Sequence, residues 1–285
     1  MIFLFFFILQ FFICQSTNHF EYQTEPYLIN KDISLSSQDF IIDPGVNIIF
    51  SQENFISFKN SKIFINGNKT HPVRFNNLNL LISNNSMVFI KYLIVSNDFY
   101  LTLNESQMEV SNSYLKSSGV FIQSSKVLLE NLTLNNMNLF TSSLVVKDAK
   151  MTDLTSDSSS QIFLSSVSLN RINLLGFYNL KIKDSNIGRI NYVDDTYPKV
   201  EDNFMSILNS TVSVKIFNLS KTKKFYFTID QTQIESFEAE FNSDFGLNVT
   251  DSLLKKLFII SSKGTFEKAN NQLETFNIDS KDDTL

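Results

Sequence analysis

A single cysteine, Cys14, stands in the 285 residues, so the chain has no internal disulfide to hold it together. Zinc sites built on several thiolates are excluded with it. His19 and His71 are the only histidines, too few for a histidine-rich metal set, and neither belongs to a nucleophile triad. Tryptophan is absent, and glycine (7) and proline (4) are scarce. A sandwich of hairpins needs Asn-Gly or Asp-Gly turns, and only Asn66-Gly67-Asn68 looks like one. No Gly-rich phosphate loop occurs. The net charge is −5, so no general attraction to nucleic acid is expected.

One long apolar run exists, from Ile2 to Ile13. It falls short of the roughly 20 residues that a spanning helix needs. It fits the core of a signal peptide over residues 1–16, with Cys14 and Ser16 as small residues before the cut. The expectation is a secreted chain with no membrane span after cleavage. The C-terminal Lys281-Asp282-Asp283-Thr284-Leu285 does not match an ER-retrieval signal. Seven acceptor triplets for N-glycans agree with secretion; they begin at Asn68, Asn84, Asn104, Asn131, Asn209, Asn218 and Asn248.

What is abundant is a repeated sentence. "LKIKDSNIGRI" from Leu180 recurs in kind as "FTIDQTQIESF" from Phe227 and "LNVTDSLLKKL" from Leu247. Aligned on its small residue, the sentence has anchors at Ser61, Ser86, Ser106, Ser125, Ala149, Val167, Ser185, Ser210, Thr232 and Ser252. Their average spacing is about 21 residues, a length typical of solenoid repeats. The residue five before each anchor is apolar. So is the one three before, except Ser83. The one directly before is always polar, and the one two after is always apolar.

Side chains alternate along a strand, so the two preceding apolar residues share one face. The apolar phase slips at the polar residue, which means that the chain bends there. Asn and Asp suit such a bend because they tolerate the left-handed conformation. A short second strand then begins. One such bent unit cannot bury its apolar face alone, whereas a stack of units can. The period therefore predicts an all-β solenoid, a single-stranded parallel β-helix of about 10–12 coils over residues 17–267. Residues 17–38 would form its N-terminal cap, and 268–285 a polar C-terminal cap or tail. The polar stretch 191–203 reads as a loop leaving the stack.

The segment from Ile41 to Phe75 resembles the first coils of secreted right-handed parallel β-helix proteins, the pectin-lyase-like and adhesin-like group. Pro44-Gly45-Val46, Gly67 and Pro72-Val73-Arg74-Phe75 carry the likeness. It implies a right-handed coil. It implies no single activity, because that fold hosts both adhesins and sugar-cleaving enzymes.

The enzymes of that group resemble one another in clustered acids and in a Gly-His-Gly signature, which is missing here. Asp194-Asp195 is an acidic pair, but it lies in the polar stretch. Arg171 and Arg189 follow their anchors by four residues, so they should lie side by side in adjacent coils. With Lys255 and Lys256 they form a candidate ligand-binding stripe, suited to an anionic sugar. The aspartates before the anchors, such as Asp148, Asp184 and Asp251, read as turn residues rather than metal ligands. No cofactor or metal is expected. The first expectation is a non-catalytic secreted or cell-surface protein, structural, adhesive, or binding a glycan or a surface or matrix protein. The alternatives are a polysaccharide lyase or glycoside hydrolase acting on one face of the helix, and a lumenal protein of the secretory pathway.

Overall fold

The computed structural model describes residues 18–50, 54–115, 118–157, 160–175, 178–193, 203–218, 225–241, 245–261 and 264–280. The signal-peptide expectation and Asp194-Asp195 lie outside these residues. Within them the chain forms twenty-nine strands and no helix, and each strand-to-strand pairing is parallel. The protein is a parallel β-solenoid, as the repeat required.

One coil shows how the walls arise. Phe99–Asn104 runs along the first wall, with Phe99, Leu101 and Leu103 buried. The chain bends at Glu105-Ser106. Gln107–Leu115 then supplies a second wall up to Ser111, bends again at Asn112, and ends in a short third wall. Ser118–Gln123 returns to the first wall beside Phe99–Asn104, with Leu101 opposite Val120. The stack buries the inward side chains of all three walls in one core.

On the first wall the rungs run Ile33, Ile56, Leu80, Leu101, Val120, Met137, Leu154, Ile172, Ile190, Val214, Phe237, Leu257 and Phe276. Twelve steps of about 4.8 Å make a ladder of about 58 Å. The ladder reaches into both segments expected as caps. Ile33–Ser36 pairs with Ile56–Lys59 near the start. Gln272–Ser280 pairs with Leu253–Ser261 at the end.

The polar residue before each of the ten anchors has a positive φ, between 45° and 58°. The bends predicted from the phase slip are thus left-handed single residues. They do not form one column, however. Ser61, Ser86, Ser106 and Ser125 lie at the corner between the first and second walls. Ala149, Val167, Ser185, Ser210, Thr232 and Ser252 lie at the corner between the second and third. The interval from Ser125 to Ala149 is one coil to Ser142 plus seven residues across the second wall. Four consecutive coils carry left-handed residues at both corners: Asn85 with Tyr92, Glu105 with Asn112, Ser124 with Asn131, and Thr141 with Asp148. The spacing within each pair is seven residues.

The exception at Ser83 has a local cause. Asn84 and Asn85 are both left-handed, at φ 55° and 58°, so that corner holds one extra residue and the phase moves by one. Ser86 Oγ accordingly donates to the carbonyl three residues back, at Ser83. In the other serine corners the bond goes two residues back, as from Ser106 to Asn104 and from Ser185 to Lys183.

Serine recurs at the anchor because a corner leaves a backbone N–H turned inward. Ser106 Oγ accepts the Ser86 N–H at 3.2 Å, and Ser125 Oγ accepts the Ser106 N–H at 3.1 Å. The second corner does the same: Ser185 Oγ accepts the Val167 N–H at 3.0 Å. An unpaired buried N–H is costly, so each hydroxyl serves the coil before it. Coils also meet closely at Gly67, where an added Cβ would stand 2.4 Å from the Tyr92 carbonyl oxygen.

Candidate basic face

The outward side of the first wall carries the candidate stripe. Asn136, Asp153, Arg171 and Arg189 stand opposite one another on four successive rungs. Two residues along, Asn138, Thr155, Asn173, Asn191 and Lys215 form a second column. The side-by-side placement of Arg171 and Arg189 follows from their separation, which equals one coil of this region.

Arg171 is paired. Its Nε donates to Asp153 Oδ1 at 3.1 Å, and its Nη2 donates to Asp153 Oδ2 at 3.0 Å. The hydrogen bonds to Asp153, and then the charge of that carboxylate, push the Arg171 guanidinium above its ordinary value. Arg189 is exposed and makes no ion pair with the described residues. A second guanidinium therefore sits one rung from the first with no carboxylate of its own among the described residues. Asn191 Nδ2 donates to Asn173 Oδ1 at 3.0 Å, which aligns the amides beside it.

Arg189 also stands at a break in the wall. The register with Thr211–Asn218 shifts between Ile187 and Ile190. On the opposite side Gly188 lies close to the preceding coil, since a Cβ there would stand 2.5 Å from the Asn170 carbonyl oxygen.

Lys255 and Lys256 do not extend the stripe. Ser213 and Ser236, opposite each other, occupy the two rungs between Arg189 and the level of Lys256. Lys255 Nζ donates to both Glu235 oxygens, at 2.9 and 2.8 Å. The bond from Lys255 holds the Glu235 carboxyl below its ordinary range; loss of water around it acts the other way, and Gln233 adds a smaller bond. Lys256 and Lys215 share Glu238, at 3.1 and 3.9 Å. The basic residues thus fall into two groups, each with carboxylates that the alignment of basic positions does not flag. Asp153 is detectable in principle, since it precedes Arg171 by the same interval of one coil.

Among the described residues no three His, Cys, Asp or Glu side chains gather where a metal ion would sit. No helix among them is long and apolar enough to cross a membrane. Of the acceptor asparagines, Asn68, Asn131, Asn209 and Asn248 are exposed or nearly so, and Asn84 and Asn104 are half-buried. The Asn218 triplet runs beyond the described residues. Comparison with known family models, with curated proteins and with solved structures finds no match to this chain.

Proposed function

We propose that the chain is a secreted or cell-surface solenoid that binds or builds rather than catalyses, and that its partner is an acidic glycan. Arg189 is the observation that carries this reading. It stands one rung from Arg171, with Asp153 serving only the latter. A guanidinium that makes no ion pair with the described residues, beside the amides of Asn173 and Asn191, suits a sugar carboxylate or sulfate. The adhesin-like members of the β-helix group are the class that this reading resembles. Export rests on the apolar run Ile2–Ile13 and on the acceptor triplets.

Native electrophoresis of the mature chain through gels containing neutral or acidic polysaccharides tests it. Retardation is expected in the acidic gels only. Arg189→Ala should abolish most of it, and Arg171→Ala should remove less, because Asp153 already engages that charge. Equal migration in every gel would turn the search to surface or matrix proteins. Clearing of polysaccharide around the band would replace the non-catalytic reading with a lyase or hydrolase.

A further inference from the structure

The acceptor triplets are not equivalent, and their hydroxyl groups tell them apart. In the Asn84 triplet, Ser86 is a buried corner serine whose hydroxyl donates to the Ser83 carbonyl at 2.7 Å. In the Asn104 triplet, Ser106 is another, donating to the Asn104 carbonyl at 2.8 Å. In the Asn248 triplet, Thr250 donates to Asp230 Oδ1 at 2.6 Å, one coil away. The Asn68 triplet alone, among these bonds, turns its hydroxyl to its own asparagine: Thr70 Oγ1 lies 2.9 Å from Asn68 Oδ1.

We infer that this chain takes an N-linked glycan more completely at Asn68 than at Asn84, Asn104 or Asn248, an inference that rests on the proposed passage through a secretory route. Asn68 Oδ1 also accepts the Thr70 N–H at 3.0 Å and the His71 N–H at 2.8 Å, closing a turn on its own backbone. The Thr70 hydroxyl has one hydrogen and two neighbours, since His71 Nδ1 lies 2.9 Å away. With the imidazole proton on Nδ1, the ring donates to Thr70 Oγ1, and the hydroxyl donates onward to Asn68 Oδ1. Three bonds draw electron density to Oδ1 and make the Nδ2 hydrogens more acidic. Nδ2 itself makes no hydrogen bond to the described residues, and the side chain is exposed. In the transfer, Nδ2 bonds to the anomeric carbon of an oligosaccharide carried on a polyprenyl pyrophosphate. The bond from that carbon to the phosphate oxygen breaks. The pyrophosphate keeps the electron pair, and Nδ2 releases one proton.

Glycans are added to a chain before it has folded, so a favourable turn must form without the rest of the protein. The Asn68 turn meets that condition, because its bonds span two or three residues. The finished fold also tolerates the sugar there. Asn68 follows Gly67 on the outer side of the turn from the second wall to the third, away from the core.

The test is site-resolved peptide mass spectrometry of the full chain exported from a eukaryotic host. One form carries a leader from another protein, and a second carries its own residues 1–16. In the first form, near-complete occupancy is expected at Asn68, with occupancy at Asn84 and Asn104 at least several-fold lower. Thr70→Ala should remove the Asn68 glycan while leaving the Asn68 backbone bonds. A bare Asn68 in the exported chain would overturn the inference, whether or not other sites are filled. Occupancy no higher than at Asn84, Asn104 or Asn248 would overturn it as well. Retention of the second form in the cytosol would count against secretion, and the first form would still decide the acceptor question.

Discussion

The middle of the solenoid and its two ends are filled differently. From Leu101 to Ile190 the first-wall rungs follow one another at short intervals, matched elsewhere only at the last step, from Leu257 to Phe276. Corner bonds between adjacent coils of this stretch span 19, 17 and 18 residues. Bonds between coils outside it reach 25 residues. The buried residues of the middle are aliphatic, methionine or small and polar, and none of those described is aromatic. The buried aromatics of the described residues stand toward the ends. Phe20, Phe40, Phe50, Phe58, Phe75 and Phe99 lie on one side. Tyr192, Phe225, Phe227, Phe237 and Phe245 lie on the other. Rings meet at 5.5 Å between Phe20 and Phe40 and at 5.2 Å between Phe225 and Phe227. Among the described residues, buried rings thus go with the longer coils and aliphatic side chains with the shorter ones.

The comparison can be broken by exchanging sizes. Phe227→Ala, at an aromatic end, should have the largest effect, a loss of about 3–5 kcal/mol through the cavity it leaves. Denaturant unfolding would measure it, and a loss below about 1 kcal/mol would mean that the end is loosely packed. The reverse exchange, Val146→Phe in the middle, should cost about 1–3 kcal/mol by overpacking. A neutral result would show that the short coils have spare room and would sink the size argument.

The two corners offer a finer comparison, because both use a serine hydroxyl in the same way. Ser106→Ala and Ser185→Ala should each cost about 1–3 kcal/mol, since each strands a buried N–H of the preceding coil. Unequal losses would show that one corner has another means of satisfying that group. The smallest effect is electrostatic. The depressed Glu235 carboxyl contributes stability that is present above its unfolded value and lost as pH falls through its folded value. Both partners are partly exposed, so the change is best followed by NMR titration of the Glu235 carboxyl. Lys255→Met should return it upward to the ordinary carboxylate range, and an unmoved titration would remove Lys255 as the cause.

Much of this architecture was legible because a stacked coil writes its period into the chain. The ten bends and their left-handed residues could be read from the polar-small pair between apolar phases. The distribution of bends over two corners could not. "MNLFTSSL" from Met137 to Leu144 fits the same sentence, as does "MEVSNSYL" from Met108 to Leu115. An alignment allowing one bend per coil has no place for them, because neighbouring bends are seven residues apart. The same limit hid part of the basic face. Spacing put Arg171 beside Arg189 and two coils between them and Lys256, but that Ser213 rather than Val214 stands at their level follows from the register shift between Ile187 and Ile190. Such a shift is a matter of backbone contact between coils.

The sequence by itself determined that the chain is a parallel solenoid, because alternation, phase slip and period all act through neighbours along the chain. It also determined the conformation of each bend, since the residue before the anchor must tolerate a positive φ. Only the tertiary structure decided which corner each bend occupies and which carboxylate meets which cation. Those outcomes depend on residues 17 to 25 positions apart lying one rung from each other. The number of residues per coil, summed over walls, corners and loops, sets that distance, and no local signal carries the sum.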